Sequence, residues 1–266
     1  MKRRSFVRST VIGGAAATII PAVTNAMQNQ NAAPAHAEFY ELRVYTLKDA
    51  TQQTLVEEYY KNTAIAALNR LGVKNIGVFT ELKPAGQSKL YILATYRNLE
   101  HVNFVAERLN ADNAYLKAGA AYLNAPASAP AYERIESSVM KAFKHSPVLA
   151  VPTKKDRIFE LRQYQSASEA AGQKKIEMFN DQGEIDIFKR LEFNPVFWGE
   201  TIIGPLRPNL TYMVTFDDLA AKDAHWKAFG GDPQWKKISS VPEYADALLV
   251  NKITSTLLVP TTYSQI

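Results

Sequence analysis

Six residues of this sequence have the types and the spacing to form a polar binding site. They follow the order Glu-x-Arg-x-Tyr in two short segments and are Glu41, Arg43, Tyr45, Glu160, Arg162 and Tyr164. Arginine binds anionic or carbonyl-bearing ligands through its planar set of donors, and a neighbouring tyrosine can donate a hydrogen bond or a proton. The two segments therefore indicate a candidate ligand-binding site, although the pattern assigns no catalytic role to any residue.

Both motifs lie in segments whose side chains alternate between apolar and polar, which is typical of a β-strand. The two segments cover residues 39–46 and 158–164. Alternate residues of a strand share one face. In the first segment, Tyr40, Leu42 and Val44 therefore form an apolar face, and the motif residues form the opposite face.

The first segment belongs to an internal repeat that runs through most of the chain. The motif recurs after 119 residues. Arg70 recurs as Arg190 at an offset of 120, and Ser137 recurs as Ser255 at an offset of 118. Because the offset stays within two residues over this length, the sequence indicates two copies of one small domain.

Each copy has the order strand–helix–strand–strand–helix–strand, the ferredoxin-like βαββαβ motif. Asp49 and Gln52 resemble a capping box where the first helix begins, and the second helix is predicted over 99–123 with a break near Asn110. The predicted strands are 39–46, 73–82, 89–97 and 132–143 in the first copy and 158–164, 196–203, 210–216 and 248–259 in the second.

A βαββαβ unit covers one face of its sheet with helices and leaves the other face bare, so two units can bury their bare faces against each other. We therefore predict an α+β fold in which two tandem ferredoxin-like domains form an intramolecular pseudo-dimer, a barrel-like sandwich of two sheets. The predicted segments are an export signal at 1–26, a flexible tether at 27–37, a first domain at 38–143, a linker at 144–156 and a second domain at 157–266.

This arrangement predicts where the two motifs point. The apolar face would pack under the helices, and the Glu, Arg and Tyr residues would point into the barrel between the sheets. Buried charges need partners. One interpretation is a structural Glu–Arg pair on each strand that sets the register. The other is a polar pocket between the sheets whose arginines bind a ligand.

The first residues have the three parts of an export signal: a basic start, an apolar run over 11–20 and a small-residue cleavage pattern. The basic start resembles a twin-arginine signal, and the residues that carry the pattern are Arg3, Arg4 and Phe6. Cleavage is predicted after Ala26 or after Ala37. We expect the mature protein to be exported, to the periplasm, without a transmembrane segment.

Charge and composition exclude several classes of function. The formal charge is +5, but the predicted signal holds four basic residues and no acid, so the mature domain carries only +1. No basic stripe remains to contact phosphates, and we expect no nucleic-acid partner. The chain has no cysteine, which excludes disulfides, thiol catalysis and cysteine-ligated metals.

The four histidines do not have the spacing of a metal site. They are His36, His101, His145 and His225, and no two of them lie four residues apart on a predicted helix. A lone helical histidine is more often a satisfied structural residue than a ligand. We therefore expect neither a metal site nor a bound cofactor.

The residues of the repeat resemble the NIPSNAP family. The similar segments are the two opening strands, Asp218 to Phe229 with Asp232 to Trp235, and the ending Leu258 to Ser264. The resemblance is strong in the second copy and weaker in the first. The positions of Trp226, Phe229 and Trp235 in the second copy are Ala106, Leu109 and Tyr115 in the first.

The resemblance implies the dimeric α/β-barrel superfamily, whose members include cofactor-free monooxygenases, isomerases and haem peroxidases. A shared fold does not fix function. We expect either a small-molecule binder, or an enzyme without a cofactor, that uses the cavity between the sheets. The alternative is a non-catalytic interaction or scaffold protein in which the Glu–Arg pairs are structural. Oligomerisation beyond the pseudo-dimer stays open.

Overall fold

Eight antiparallel strands form the centre of the molecule in a computed structural model that describes residues 36–266. The predicted export signal, with Arg3, Arg4 and Phe6, and nearly all of the predicted tether lie outside the described residues. The strands are β1 (Phe39–Leu47), β2 (Gly77–Glu81), β3 (Ser88–Tyr96), β4 (Arg134–Ala142), β5 (Ile158–Gln165), β6 (Pro195–Ile203), β7 (Asn209–Phe216) and β8 (Lys252–Pro260).

The strands close into a barrel in the order β1-β3-β2-β8-β5-β7-β6-β4, and β4 pairs again with β1. Each copy supplies one ferredoxin-like sheet, β4-β1-β3-β2 or β8-β5-β7-β6. The two sheets join at two seams, β2–β8 and β4–β6. The predicted α+β fold and the intramolecular pseudo-dimer are therefore confirmed.

Helices cover the outside of each sheet. They are α1 (Ala50–Tyr59), α2 (Ile65–Arg70), α3 (Leu99–Asn110), α4 (Asn113–Ala118), α5 (Ala120–Leu123), α6 (Glu169–Asp181), α7 (Glu184–Arg190), α8 (Leu219–Gly231), α9 (Pro233–Ser239) and α10 (Asp246–Leu249). A π-helical turn, Tyr60–Ala64, joins α1 to α2, and a 3-10 turn, Pro242–Tyr244, precedes α10. No helix within residues 36–266 is both long and apolar enough to cross a bilayer.

The helix ends follow the local sequence. The Asp49 carboxylate accepts from the N–H groups of Thr51 and Gln52 where α1 begins, which satisfies two backbone donors of the first turn. The predicted break near Asn110 is where α3 ends, and the side chain of Asp112 caps α4. The last strand starts at Lys252 rather than at residue 248, because residues 246–249 form α10.

One end of the barrel interior is packed with apolar side chains from both copies, and the other end holds a cavity of about 180 Å³ between the sheets, with Lys89, Glu136 and Gln163 among its walls. Tyr40 contacts Phe197 across one seam with ring centroids 5.1 Å apart, and Phe79 contacts Phe159 across the other at 5.0 Å. The same buried cluster includes Leu42 and residues such as Leu93, Met140, Leu161, Met213 and Leu258. Each sheet also packs against its own helices through a separate apolar cluster.

Candidate functional site

The Glu-x-Arg-x-Tyr residues lie on the helix-covered face of each sheet and not inside the barrel. Tyr40 and Leu42 belong to the barrel cluster, whereas Tyr45 belongs to the cluster under the helices of the first copy. The predicted orientation of the motif was therefore wrong. The apolar strand faces of both copies meet inside the barrel, so the charged pairs lie on the outer faces, between strands and helices. A cavity of about 180 Å³ does lie between the sheets, but none of the six motif residues lines it.

The two motifs consequently do not meet in one pocket between the sheets. Glu41 is bound by Tyr96 and Ser137 of the first copy. Glu160 is bound by Trp226 and Ser255 of the second copy. The candidate site is thus two separate sites, one under the helices of each copy, and they can be compared position by position.

Glu41 is fully hydrogen-bonded in the first copy. Arg43 donates through Nε to Oε1 at 2.6 Å and through Nη2 to Oε2 at 3.1 Å. Ser137 donates to Oε1 at 2.8 Å, and Tyr96 donates to Oε2 at 3.0 Å. Burial alone would raise the pKa of Glu41, but Arg43 and these hydrogen bonds lower it below its usual range. Glu41 is therefore a carboxylate that fixes Arg43.

The carboxylate of the second copy is also fully hydrogen-bonded, but its arginine binds it through one nitrogen only. Arg162 donates through Nη1 to Oε1 of Glu160 at 2.8 Å, and Ser255 donates to the same oxygen at 2.7 Å. The donor to Oε2 is different: it is the indole Nε1 of Trp226, at 2.7 Å. The Arg162 guanidinium carbon lies 4.4 Å from the centroid of the Trp226 ring, in cation–π contact.

The two motif tyrosines have different partners. The Tyr164 hydroxyl accepts from Arg162 and is 2.9 Å from the Tyr212 hydroxyl. The Tyr45 hydroxyl instead lies 3.0 Å from Tyr60 and 2.8 Å from Tyr122. Burial is the largest cause that raises the pKa of Tyr45 and of Tyr164 above the usual value. Both phenols therefore stay neutral at physiological pH.

A cavity of about 100 Å³ lies beside Arg43, between β1, β3 and the helices of the first copy. Its polar walls are Glu41, Arg43, Tyr59, Tyr60, Tyr96 and Tyr115. Its apolar walls include Leu68, Ile92 and Leu109, and the exposed Ala106 lies at its rim. Tyr59 and Tyr60 both line it although they are consecutive in sequence, at the point where α1 changes into the π-helical turn.

Larger side chains occupy the corresponding space of the second copy. At the matching positions Leu68 is replaced by Phe188, Ile92 by Tyr212, Ala106 by Trp226, Leu109 by Phe229 and Tyr115 by Trp235. Their rings are in contact: Phe188 lies 5.8 Å from Trp226 and 4.9 Å from Phe229, and Phe229 lies 4.6 Å from Trp235. The second copy is therefore a plugged version of the first.

The two copies also use different residues to donate the last hydrogen bond to the motif carboxylate. Tyr96 of the first copy corresponds to Phe216 of the second, as the strand registers with β1 and β5 show. In the second copy the N–H of Trp226 donates to Glu160, and the strand residue is Phe216, which has no donor. In the first copy Ala106 has no donor, and the hydroxyl of Tyr96 donates to Glu41 instead.

Arg43 is accordingly the more accessible of the two arginines. Its side chain keeps 40% of its surface accessible, against 17% for Arg162, and the carboxylates keep 8% for Glu41 and 1% for Glu160. Burial raises the pKa of Tyr59, Tyr60 and Tyr96 around the cavity. The open site thus combines one fixed cation with neutral phenols and apolar walls.

Several residues of the open site did not follow from the sequence alone. Ser137 carried a usable signal, because it and Ser255 recur at nearly the same offset as the motif and play the same role. The substitution of Trp226 by Ala106 was visible, but its consequence depended on which strand face the helix covers. Tyr59 and Tyr60 had no distinguishing signal.

Two of the four histidines, His101 and His225, bind backbone carbonyls. His101 Nε2 lies 2.8 Å from the Leu71 carbonyl, and His225 Nδ1 lies 2.6 Å from the Leu191 carbonyl, the matching position of the second copy. The two histidines therefore bind equivalent carbonyls from different helix positions. In the part of the chain from residue 36 onwards, no cluster of three or more His, Asp or Glu side chains could hold a metal ion.

Two solved structures share the closed barrel over most of this chain, and both are named "putative monooxygenase". The protein from Fusobacterium nucleatum is 10% identical, with a TM-score of 0.57 over 85% of this chain and 93% of its own. The protein from Lactobacillus acidophilus is 14% identical, with a TM-score of 0.57 over 85% and 94%. This likeness, together with the topology, defines a dimeric α/β barrel in which one chain supplies both halves.

The family is shown by a second comparison. The NIPSNAP family model matches residues 40–147 and again residues 159–265, so the chain belongs to the NIPSNAP family and carries two of its domains in tandem. A NIPSNAP family protein from Agrobacterium tumefaciens is 20% identical over 44% of this chain and 97% of its own, with a TM-score of 0.37. No curated protein matches the chain.

Proposed function

We propose that the first copy binds a small molecule in the cavity beside Arg43, and that the second copy is its plugged, structural counterpart. The observation that carries this proposal is the exchange between Ala106 and Trp226 at matching positions of α3 and α8. The same carboxylate and arginine underlie both positions. The neighbouring space is open in the first copy, and in the second copy it holds the ring of Trp226.

The composition of the cavity supports a binding site. Ligand pockets typically combine apolar walls with a few polar groups that fix orientation. Here Arg43 and the phenols supply the polar groups, and Leu68, Ile92 and Leu109 supply apolar walls. A cavity of about 150 Å³ in another protein accepts benzene. The cavity beside Arg43 is smaller, at about 100 Å³, but it is not enclosed, so a compact ring would lie partly within it and partly in the opening beside Ala106.

The comparisons support small-molecule binding without supplying a reaction. The two similar barrels are named as monooxygenases, but at 10% and 14% identity the likeness concerns the fold. We therefore propose that the site binds a small molecule. Both a carrier protein and an enzyme without a cofactor would have such a site. Chemistry at the site would involve Arg43 and the neutral phenols around it.

A scaffold function is the second candidate, and the closed Glu–Arg pairs favour it. Each carboxylate is satisfied by protein donors in both copies, as expected if the pairs serve only to fix strands and helices. In that case the cavity is a packing gap that holds no specific ligand.

A ligand-observed NMR screen of small fragments separates the two functions. The plugging variant is Ala106→Trp, and Ala114→Trp is the matched control because Ala114 is exposed on α4 and does not line the cavity. We expect fragments that bind the wild type and the control but not Ala106→Trp. Fragments that bind all three proteins alike, or no binding to the wild type, would support the scaffold function.

We also propose that the protein is exported through the twin-arginine route and acts in the periplasm. The support is the order of Arg3, Arg4 and Phe6 ahead of an apolar run in residues 1–26, with cleavage after Ala26 or Ala37. The test replaces both arginines with lysine and follows processing in a bacterium that has this route. Accumulation of the uncleaved chain in the cytoplasm is expected, and unchanged export contradicts the proposal.

A further inference from the structure

Trp226 shows which kind of group fits beside the arginine of this motif. The guanidinium carbon of Arg162 lies over the indole ring, 4.4 Å from its centroid. The indole also contacts Phe188 and Phe193 edge-on, at 5.8 Å and 4.8 Å. An aromatic ring on a guanidinium face gains cation–π attraction as well as apolar contact.

The first copy keeps the arginine but lacks the ring. Ala106 ends at its Cβ atom where Trp226 carries an indole, and Arg43 keeps 40% of its side-chain surface accessible. Ile92, which corresponds to Tyr212, removes a second ring from the same region. The guanidinium of Arg43 therefore faces an open cavity, whereas the guanidinium of Arg162 contacts the ring of Trp226.

The hydrogen bond of the indole is already replaced in the first copy. Tyr96 donates to Oε2 of Glu41 at 3.0 Å, as Trp226 Nε1 does to Oε2 of Glu160 at 2.7 Å. The protein thus satisfies the carboxylate itself. What the open copy lacks is the flat apolar ring, so a ligand need not donate to Glu41.

A polar group of the ligand would meet two phenols. The hydroxyls of Tyr59 and Tyr115 are 2.5 Å apart, and both tyrosines line the cavity. Each hydroxyl has one hydrogen, and their mutual hydrogen bond uses only one of the two. The remaining O–H can donate to an acceptor on the ligand. The second copy has no such pair, because Trp235 occupies the position of Tyr115.

We infer that the ligand of the first copy is a compact planar aromatic compound whose ring stacks on Arg43 and whose hydrogen-bond acceptor faces the Tyr59–Tyr115 pair. This inference rests on the proposed binding function and adds the chemical class of the ligand. The ring would take the place that Trp226 fills in the second copy.

Phenol and cyclohexanol make a matched pair of probes, since both are six-membered rings with one hydroxyl and only phenol has an aromatic face. Calorimetric titration of the full chain should give at least about tenfold tighter binding of phenol. Arg43→Lys keeps the charge but loses the planar face, so it should reduce this preference. Arg162→Lys is the control in the plugged copy and should leave phenol affinity unchanged.

The hydroxyl pair is tested by the double variant Tyr59→Phe/Tyr115→Phe. It should weaken phenol binding by about fivefold and leave the affinity for benzene unchanged. Thermal unfolding of each variant shows whether it is folded before its affinity is compared.

The outcomes separate this inference from the proposed function. A phenol preference that Arg43→Lys reduces and Arg162→Lys leaves unchanged supports the inference. A phenol preference that Arg43→Lys leaves unchanged contradicts stacking on Arg43. If cyclohexanol binds as tightly as phenol and Ala106→Trp abolishes both, the cavity binds ligands but the aromatic class is wrong. If no probe binds the wild type, or if Ala106→Trp leaves binding intact, the inference and the proposed site fail together.

Discussion

At the scale of single residues, the two Glu-x-Arg-x-Tyr motifs are alike in sequence and different in surroundings. Glu160 and Arg162 are enclosed by Trp226, whereas Glu41 and Arg43 border an accessible cavity. A buried charge that loses its partner is costly, and water around the remaining charge reduces that cost. Equivalent substitutions in the two copies should therefore have unequal effects.

Removal of the carboxylates tests this difference. Glu160→Ala should lower the free energy of unfolding by about 3–5 kcal/mol, because Arg162 then stays buried without its carboxylate. Glu41→Ala should cost less, about 1–3 kcal/mol, because water in the cavity can solvate Arg43. Urea unfolding of both variants measures the two costs. Equal costs would contradict the assignment of an open and a plugged copy.

A second prediction concerns Glu184, which is buried in the second copy. Lys175 Nζ lies 3.6 Å from its carboxylate and also 3.3 Å from Asp246. Burial raises the pKa of Glu184 to about 7, although the charge of Lys175 opposes this. The folded protein therefore binds more protons than the unfolded chain between pH of about 4.5 and about 7.

The sign of the pH dependence follows from that proton uptake. The stability that protonated Glu184 contributes is fully present below its ordinary pKa and is lost as the pH rises to about 7. The free energy of unfolding of the wild type should therefore fall over this window relative to that of Glu184→Gln. Chemical unfolding of both proteins at several pH values checks it, and a constant difference between them would contradict it.

At the scale of elements, the helices α3 and α8 decide whether a site is open. They begin at equivalent residues, Leu99 and Leu219. The side chains of the preceding residues, Asn98 and Asp218, cap the first turns. They also lie over equivalent strands. The character of each site then depends on whether the helix carries Ala106 or Trp226 at one position.

Transfer of the plug to the first copy should stabilise the protein. The variant Tyr96→Phe/Ala106→Trp reproduces the pair Phe216 and Trp226 beside Glu41. Cavity filling of this kind typically adds about 0.5–2 kcal/mol, so the melting temperature should rise by about 1–8 °C. A lower melting temperature would mean that the two sites do not accept the same ring. Differential scanning calorimetry gives the answer.

At the scale of the whole molecule, the closed barrel makes the two copies depend on each other. Their sheets share one interior, and the rings of Phe79 and Phe159 meet across a seam. Neither sheet could keep its interior face dry alone. The two NIPSNAP domains are therefore two sequence repeats but one folding unit.

This interdependence predicts a single unfolding transition. Phe159→Ala in the second copy should cost about 3–5 kcal/mol and should lower the hydrogen-exchange protection of β1–β4 as much as that of β5–β8. Hydrogen exchange followed by mass spectrometry resolves the two halves. Loss of protection confined to residues 158–260 would show that the copies unfold independently.

The sequence predicted the repeat, the βαββαβ order and the pseudo-dimer because periodicity and offsets are local and repeated signals. It did not predict the orientation of Glu41 and Arg43. Alternation shows which residues share a strand face, but burial of both faces removes the contrast with water that would identify the inner one. The apolar strand faces point into the barrel, and the charged pairs lie on the face under the helices.

The open site was also beyond the reach of the motif alone. Its distinguishing features are the absence of a ring at Ala106 and the use of Tyr96 as the donor to Glu41, and the consequence of both appears only when the two copies are compared in three dimensions. The repeat had already identified Ala106 and Trp226 as matching positions. Which space the indole fills became apparent from its contacts with Glu160 and Arg162.

The number of indole molecules bound per chain tests the central claim most directly. Calorimetric titration of indole should give one site in the wild type, no site in Tyr96→Phe/Ala106→Trp, and two sites in Phe216→Tyr/Trp226→Ala, where the plug of the second copy is removed. The same stoichiometry in all three proteins would contradict the account that Trp226 fills the space that Ala106 leaves open.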